Sequence, residues 1–329
     1  MRNEMGSTAP FMKVALIISV MSCLLFIAGC NSTKPNDKTG VTEPEPTKAS
    51  LPPTSDLQKQ HQEAEQQFRP DIETQRQQNE NEAKQTLDQD AIAAVGLTGA
   101  AIKSIAANKK DEALTSIERA TGKVNILLAR NPASALIPVS VDVLVIDTAP
   151  ADPKVIDQIV QRATDATKHR DLPVARILLA SLVSELRVRT TSLPLATYPA
   201  ALQRAAQLLD EGKNQDAGNV LLTAVNTLVM VDHVIPLPLL LAQAAIDAAN
   251  SQRQNKDIAL TLLKTARNEA NQSRLLGYLS SDSEYKGLDD EISSIESAIE
   301  GKGDTSSMFS HLRDRIAAFI NKQKQHEQR

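Results

Sequence analysis

The chain has no tryptophan, five phenylalanines and three tyrosines in 329 residues, and only two cysteines. Beyond residue 88 the aromatics reduce to Tyr198, Tyr278, Tyr285, Phe309 and Phe319, too scattered to form the stacking platforms on which single-stranded nucleic acids are held. A basic excess is missing as well: the formal net charge is -4, so a phosphate-neutralising face is not expected and nucleic acid is excluded as a partner. The histidines, His61, His169, His233, His311 and His326, show no i, i+4 pair. With no thiol after Cys30, no zinc-type ligand set is visible. There is no glycine-rich phosphate loop either. No metal or cofactor is expected.

What is present begins with an export pattern. Arg2 and Lys13 precede an aliphatic run, Val14–Phe26, of 13 residues, shorter than the about 20 needed to span a bilayer. A charged segment followed by such a run reads as a signal peptide. The next four residues, Ile27-Ala28-Gly29-Cys30, resemble the bacterial lipobox. Residues 1–29 are therefore expected to be cleaved as a lipoprotein signal peptide and Cys30 to be acylated. Cys23 lies inside the cleaved run, so Cys30 has no disulfide partner. Two or three acyl chains anchor stably where one does not. Asn31 in place of aspartate resembles the sorting of Gram-negative lipoproteins to the outer membrane, on its periplasmic face. Met5 and Met12 are alternative starts.

Residues 30–88 change character, with prolines at 35, 44, 46, 52, 53 and 70 and nine glutamines. Between 55 and 87 the apolar residues Leu57, Phe68 and Ile72 give no sustained helical stripe. Such a segment cannot offset its ordering entropy by burial. It is expected to be a disordered or loosely helical tether that contributes little to folding, leaving residues 89–329 as the folded domain.

That domain is expected to be mainly α. Ile92, Val95, Ile102 and Ile105 repeat at helical spacing, as do Leu114, Ile117, Val124 and Leu127 after a break at 108–111. Further pairs follow: Ile156 to Ala163 with Val174 to Leu182, Leu202 to Leu209 with Ala217 to Leu228, and Leu240 to Ala249 with Ile258 to Ala266. Asp152 before Pro153 reads as a cap and first turn. Asp111, Asp171, Asp216 and Asp257 are expected to cap the second helix of each pair. The spacing is irregular, which implies degenerate antiparallel hairpins rather than a solenoid. Between the pairs lie three β-branched stretches, Ile137–Asp147, Arg187–Leu195 and Val229–Leu237, expected to be short strands. Ile292, Ile295 and Ile299 mark a further helix, and Phe309, Leu312, Ile316 and Phe319 a last one.

Three stretches around those strands, VDVLVIDTAP (141–150), LLASLVSELRVRTTSLPLATYPAAL (178–202) and VLLTAVNTLVMVDHVIPLPLLLAQAAI (220–246), resemble the YfdX family of bacterial proteins. The resemblance covers roughly residues 90–280. It implies a mostly helical extracytoplasmic protein associated with acid, heat or envelope stress, with chaperone-like binding and no established catalytic residues. The lipobox and the long Gln/Pro segment depart from its simplest members.

Candidate site residues are few. Arg187 and Arg189 are two apart on an expected strand and so share a face. They suit a carboxylate ligand or ion pairs with Asp142 and Asp147 across a sheet. Asp232 and His233 are adjacent, hence on opposite faces, and form no base and orienter pair without a bulge. Asp289-Asp290-Glu291 reads as a solvated helix start. Pro236–Ala249, apolar on all sides, is either an exposed client or oligomer surface or the most buried helix of the domain. The function expected is a non-enzymatic, lipid-anchored stress-tolerance protein that binds clients and self-associates. The rival is a periplasmic hydrolase or small-ligand sensor built on Asp142, Asp232 and His233.

Overall fold

Helix–turn–helix units alternate with single strands, because each apolar helical pair runs into a β-branched stretch that cannot continue it. The computed structural model describes residues 55–279, 282–301 and 303–326. The expected signal peptide, Cys30 and residues 30–54 lie outside them. In order the elements are α1 (Asp56–Gln67), α2 (Arg69–Gln85), α3 (Gln89–Ala106), α4 (Lys110–Arg130), β1 (Leu136–Asp147), α5 (Pro153–Lys168), α6 (Leu172–Ala180) and β2 (Ser184–Pro194). They continue with α7 (Tyr198–Asp210), α8 (Asn214–Asn226), β3 (Val229–Pro236), α9 (Leu237–Ser251), α10 (Lys256–Leu275), α11 (Asp282–Glu300) and α12 (Ser306–His326).

Three of the hairpin turns share one geometry. Asn108, Arg170 and Gly212 take positive φ of 57°, 61° and 75°. In each, the following amide reaches back to the helix: Lys109 to Ser104, Asp171 to Ala166 and Lys213 to Leu208, at 2.8–2.9 Å. This is the Schellman closure, which satisfies carbonyls the helix end leaves open. The aspartate caps fare differently. Asp152 and Asp171 cap α5 and α6 as expected, accepting from the Lys154 and Val174 amides. Asp111, Asp216 and Asp257 instead sit inside the first turn, because their helices begin one or two residues earlier. There they face the positive end of the helix dipole without being caps.

The three strands pair antiparallel in the order β1-β2-β3. β1 is bulged between Pro138 and Ser140, where proline has no amide to give the ladder. Two cores flank the sheet. One gathers α3, α4, α7 and α8 around Ile137, Leu193 and the fully buried Tyr198, whose hydroxyl lies 2.9 Å from Thr98 Oγ1. Its helices meet on small residues, Ala91, Ala94, Ala101, Ala113 and Ala120. Ile92, Val95 and Ile102, expected at the centre of that face, are only half-buried beside it. The other core collects Leu186, Val188 and Ile235 of the sheet with α9, α10, α11 and α12. Here α9 is buried on nearly every side, from Leu237 through Ala242 to Ala249, which settles the apolar run as interior rather than exposed.

Residues 56–85 do not behave as a tether. They form α1 and α2, and Ala64, Phe68 and Ile72 belong to the second core. The stripe that places them, His61, Ala64, Phe68, Ile72, Asn79, is helical in period but only two of its members are large and apolar, so counting such residues passes over it. Asp289 and Glu291 are likewise interior to α11 rather than at its start. Arg267 of α10 donates to Asp289 at 2.6 Å and with two nitrogens to Glu296 at 2.9 and 3.0 Å, while Arg315 of α12 pairs with Glu291.

Candidate functional site

The most enclosed polar chemistry in the described residues is centred on His61. On α1 this ring points inward because it shares the stripe of Ala64 and Phe68. Its Nε2 lies 2.9 Å from Asp147 Oδ2 at the end of β1, and its Nδ1 lies 3.0 Å from both carboxylate oxygens of Glu269 on α10. The side chains of His61 and Glu269 are 3% and 2% exposed. Burial opposes a charged ring, yet the hydrogen bonds to Asp147 and Glu269 and the charges of those carboxylates outweigh it and lift His61 from 6.5 to about 10. Burial also pushes Glu269 above the ordinary glutamate value, with His61 opposing. His61 is thus an imidazolium at neutral pH, clamped between two carboxylates. Asp147 Oδ1 is buried with no hydrogen-bond partner among the described residues.

Neighbouring contacts extend the clamp. Gln58 Oε1 accepts the Ala151 amide at 2.8 Å, and Gln60 accepts from Asn268 at 2.7 Å. A cavity of about 400 Å³ opens beside it, lined by His61, Glu65, Asp147, Thr148 and Ser181 among others. Both ring nitrogens are engaged, so this arrangement fastens α1 to the body instead of presenting a free base.

The residues singled out from sequence divide between two faces of the sheet. Arg187, Arg189 and Asp232 share one. Arg189 grips Asp232 with Nε and Nη2, each at 2.7 Å, and Asp142 stands opposite Arg189 in the strand register. Asp232 is held below the usual carboxylate range, first by the Arg189 hydrogen bonds, with Arg187 adding. Arg187 turns to buried Glu185, its Nε 2.7 Å from Oε1. The Tyr278 hydroxyl donates to Glu185 Oε2 at 3.1 Å and accepts the Ser184 amide at 3.1 Å, and burial pushes that phenol up. The expected pairing across the sheet therefore exists for Arg189, with Asp232 as the bonded acid, whereas Arg187 bonds Glu185 on its own strand and Asp147 belongs to His61.

His233 lies on the opposite face, in a groove of about 460 Å³ with Asn79, Glu82, Val188 and Ile235. Asp142, Asp232 and His233 do not converge. No group of three or more His, Cys, Asp and Glu side chains suited to a metal ion occurs among the described residues. Sequence reasoning missed His61 and Glu269, although each interrupts an apolar helical stripe: Glu269 falls in line with Ala259, Leu262 and Ala266.

These features define a mainly helical protein of hairpins strung on a three-stranded antiparallel sheet, with His61 and Glu269 closed into an internal cluster. Residues 94–234 match the family model described as YfdX protein, and this part of the chain belongs to the YfdX family. A solved structure of Salmonella Typhi YfdX is similar to it at 16% identity and a TM-score of 0.31, over 46% of this chain and 93% of that one. No curated protein matches the chain.

Proposed function

We propose that the protein works by binding rather than by catalysis, as a lipid-anchored envelope protein that self-associates and holds client proteins during acid or heat stress. What supports binding is the set of apolar side chains left exposed on the outer strands of the sheet. Leu144 and Val145 on β1 and Met230 on β3 are exposed, on the two outer strands of the sheet. An extended client segment adds to such an edge through main-chain hydrogen bonds, with apolar side chains supplying affinity. Stoichiometric protein should suppress the heat aggregation of a model client. Leu144→Lys with Met230→Lys should lower that suppression several-fold at unchanged melting temperature. Equal suppression by the double variant, or turnover of a small substrate that His233→Ala abolishes, would overturn the reading.

The anchored location, on the periplasmic face of the outer membrane, rests on the lipobox and on Cys30. No described helix is long and apolar enough to cross a membrane, so in this proposal attachment falls to the acyl chains. Cys30→Ser should abolish palmitate labelling and release the protein from the membrane fraction or leave it uncleaved. Labelling that persists in the variant would remove the anchor from this proposal.

A further inference from the structure

α6 breaks the rule that α9 obeys. Its nine residues, LPVARILLA, are apolar almost all round, and helices of that kind are normally interior. Yet only Ala175 is buried, while Ile177, Leu172 and Leu179 are 70%, 64% and 55% exposed. Val174 beside them, and Val155 and Val160 on α5, are exposed too. The sequence places Val174 and Ile177 on a core face, but the α5–α6 hairpin projects them outward.

Charge narrows what covers this ridge. Within residues 153–180 stand Lys154, Arg162, Lys168, Arg170 and Arg176 against Asp157, Asp165 and Asp171, in a chain of net charge -4. Lys168 pairs with Asp165 at 3.3 Å; Arg162, Arg170 and Arg176 have no acidic partner among the described residues. Aliphatic side chains interleaved with arginine on a locally basic surface match the interface of an anionic bilayer. The ridge is six exposed aliphatic side chains on two helices, far fewer than the roughly 20–30 residues each partner contributes to a standard protein interface. The chain also comes into the fold beside this hairpin, since Gln58 bonds the Ala151 amide just ahead of α5. Cys30 stands 25 residues before Ser55, a span of at most about 85 Å, so an anchored chain keeps the hairpin within reach of its own membrane.

We propose that the α5–α6 hairpin is a membrane-surface contact, its aliphatic ridge entering the headgroup region while Arg162, Arg170 and Arg176 meet lipid phosphates. This rests on the lipid-anchored reading, and the test separates the two. The mature chain, residues 30–329 with Cys30→Ser, carries no acyl group. It should float with vesicles of phosphatidylethanolamine and phosphatidylglycerol and much less with phosphatidylcholine alone. Ile177→Asp with Leu179→Asp should weaken flotation by roughly tenfold or more, and Arg170→Gln with Arg176→Gln should flatten its salt dependence. Both positions of the first pair are exposed, so helicity and melting temperature should not change. Because the chain has no tryptophan, Leu172→Trp gives a single reporter whose emission should shift to the blue on these vesicles and be quenched by brominated acyl chains. The proposal fails if the protein does not float or if the aspartate variant floats equally well. It fails too if that variant abolishes a concentration-dependent dimer while lipid binding is nil, which would make a second copy the occupant. Flotation without palmitate labelling of the native protein would remove the anchor and leave the hairpin contact standing.

Discussion

Replacing His61 with alanine is expected to cost about 3–5 kcal/mol, the usual penalty for taking one partner out of a buried ion pair. The loss is large because Glu269 and Asp147 would face each other with no cation between them. For a protein of this size that corresponds to a melting temperature roughly 5–15 °C lower. The pH dependence is specific. The folded-state value for His61, about 10, lies above its unfolded value of 6.5, so the native state binds the extra proton. Stability from this ring is fully present below about 6.5 and is lost as pH rises through about 10. Glu269 is also raised by burial, so its proton too is held better in the folded state, and its contribution likewise falls as pH rises. Wild-type thermal melts should therefore decline from neutral to alkaline pH. His61→Gln should flatten that decline while keeping the ring's approximate volume. A His61 variant with the wild-type pH profile would rule out this clamp as the source.

Removing α1 and α2 is expected to have the second large effect. Deletion of residues 31–54 should leave the melting temperature nearly unchanged, whereas deletion of 31–85 should lower it drastically or prevent folding. Phe68 and Ile72 are buried against Leu240 and its neighbours. Truncating side chains of these types typically costs about 3–5 and 2–5 kcal/mol. The same deletion removes His61 and leaves Glu269 uncompensated. Denaturant melts of the two truncations side by side would measure the difference. Equal stability of both would return residues 55–85 to the role of a tether.

Much of the architecture is legible because helical hairpins and β-branched strands have different periods. Ile156 and Ala163, Leu202 and Leu209, and Ile295 and Ile299 all land in the core, and the three strands fall where Val, Ile and Thr cluster. The misses have a common cause. Alanine carries the close helix contacts of α3 and α4, and histidine, alanine and asparagine carry much of the inner face of α1 and α2, so a count of large aliphatic residues underrates both. The His61 cluster is hidden for a related reason. Asp147 and Glu269 are 86 and 208 residues from His61 in sequence, and only the fold brings them together. What the sequence offers is local: a histidine and a glutamate each breaking an apolar stripe, which is a demand for a partner without a statement of which one. The sheet pairing of Arg189 is foreseeable in kind, but the choice of Asp232 depends on a register that turn chemistry and bulges set.

The sheet ladder also bears on how freely this protein can change. At the foot of the α5–α6 hairpin, the Thr148 and Ala149 amides both reach Val183 O, at 2.8 and 3.1 Å, and Thr148 Oγ1 donates to Ala180 O at 2.9 Å. The chain thus leaves β1 and returns to β2 at nearly one point, and the whole hairpin serves the two strands as a tight turn would. Its length and surface can then be remodelled, shortened or exchanged for another helical pair without shifting the pairing of Asp147 with Ser184. β3 and α9 lack that freedom: Pro236 ends one and Leu237 begins the other, so an insertion there would displace a fully buried helix. Variation between proteins built this way should collect in the hairpin and avoid the strand–helix junction.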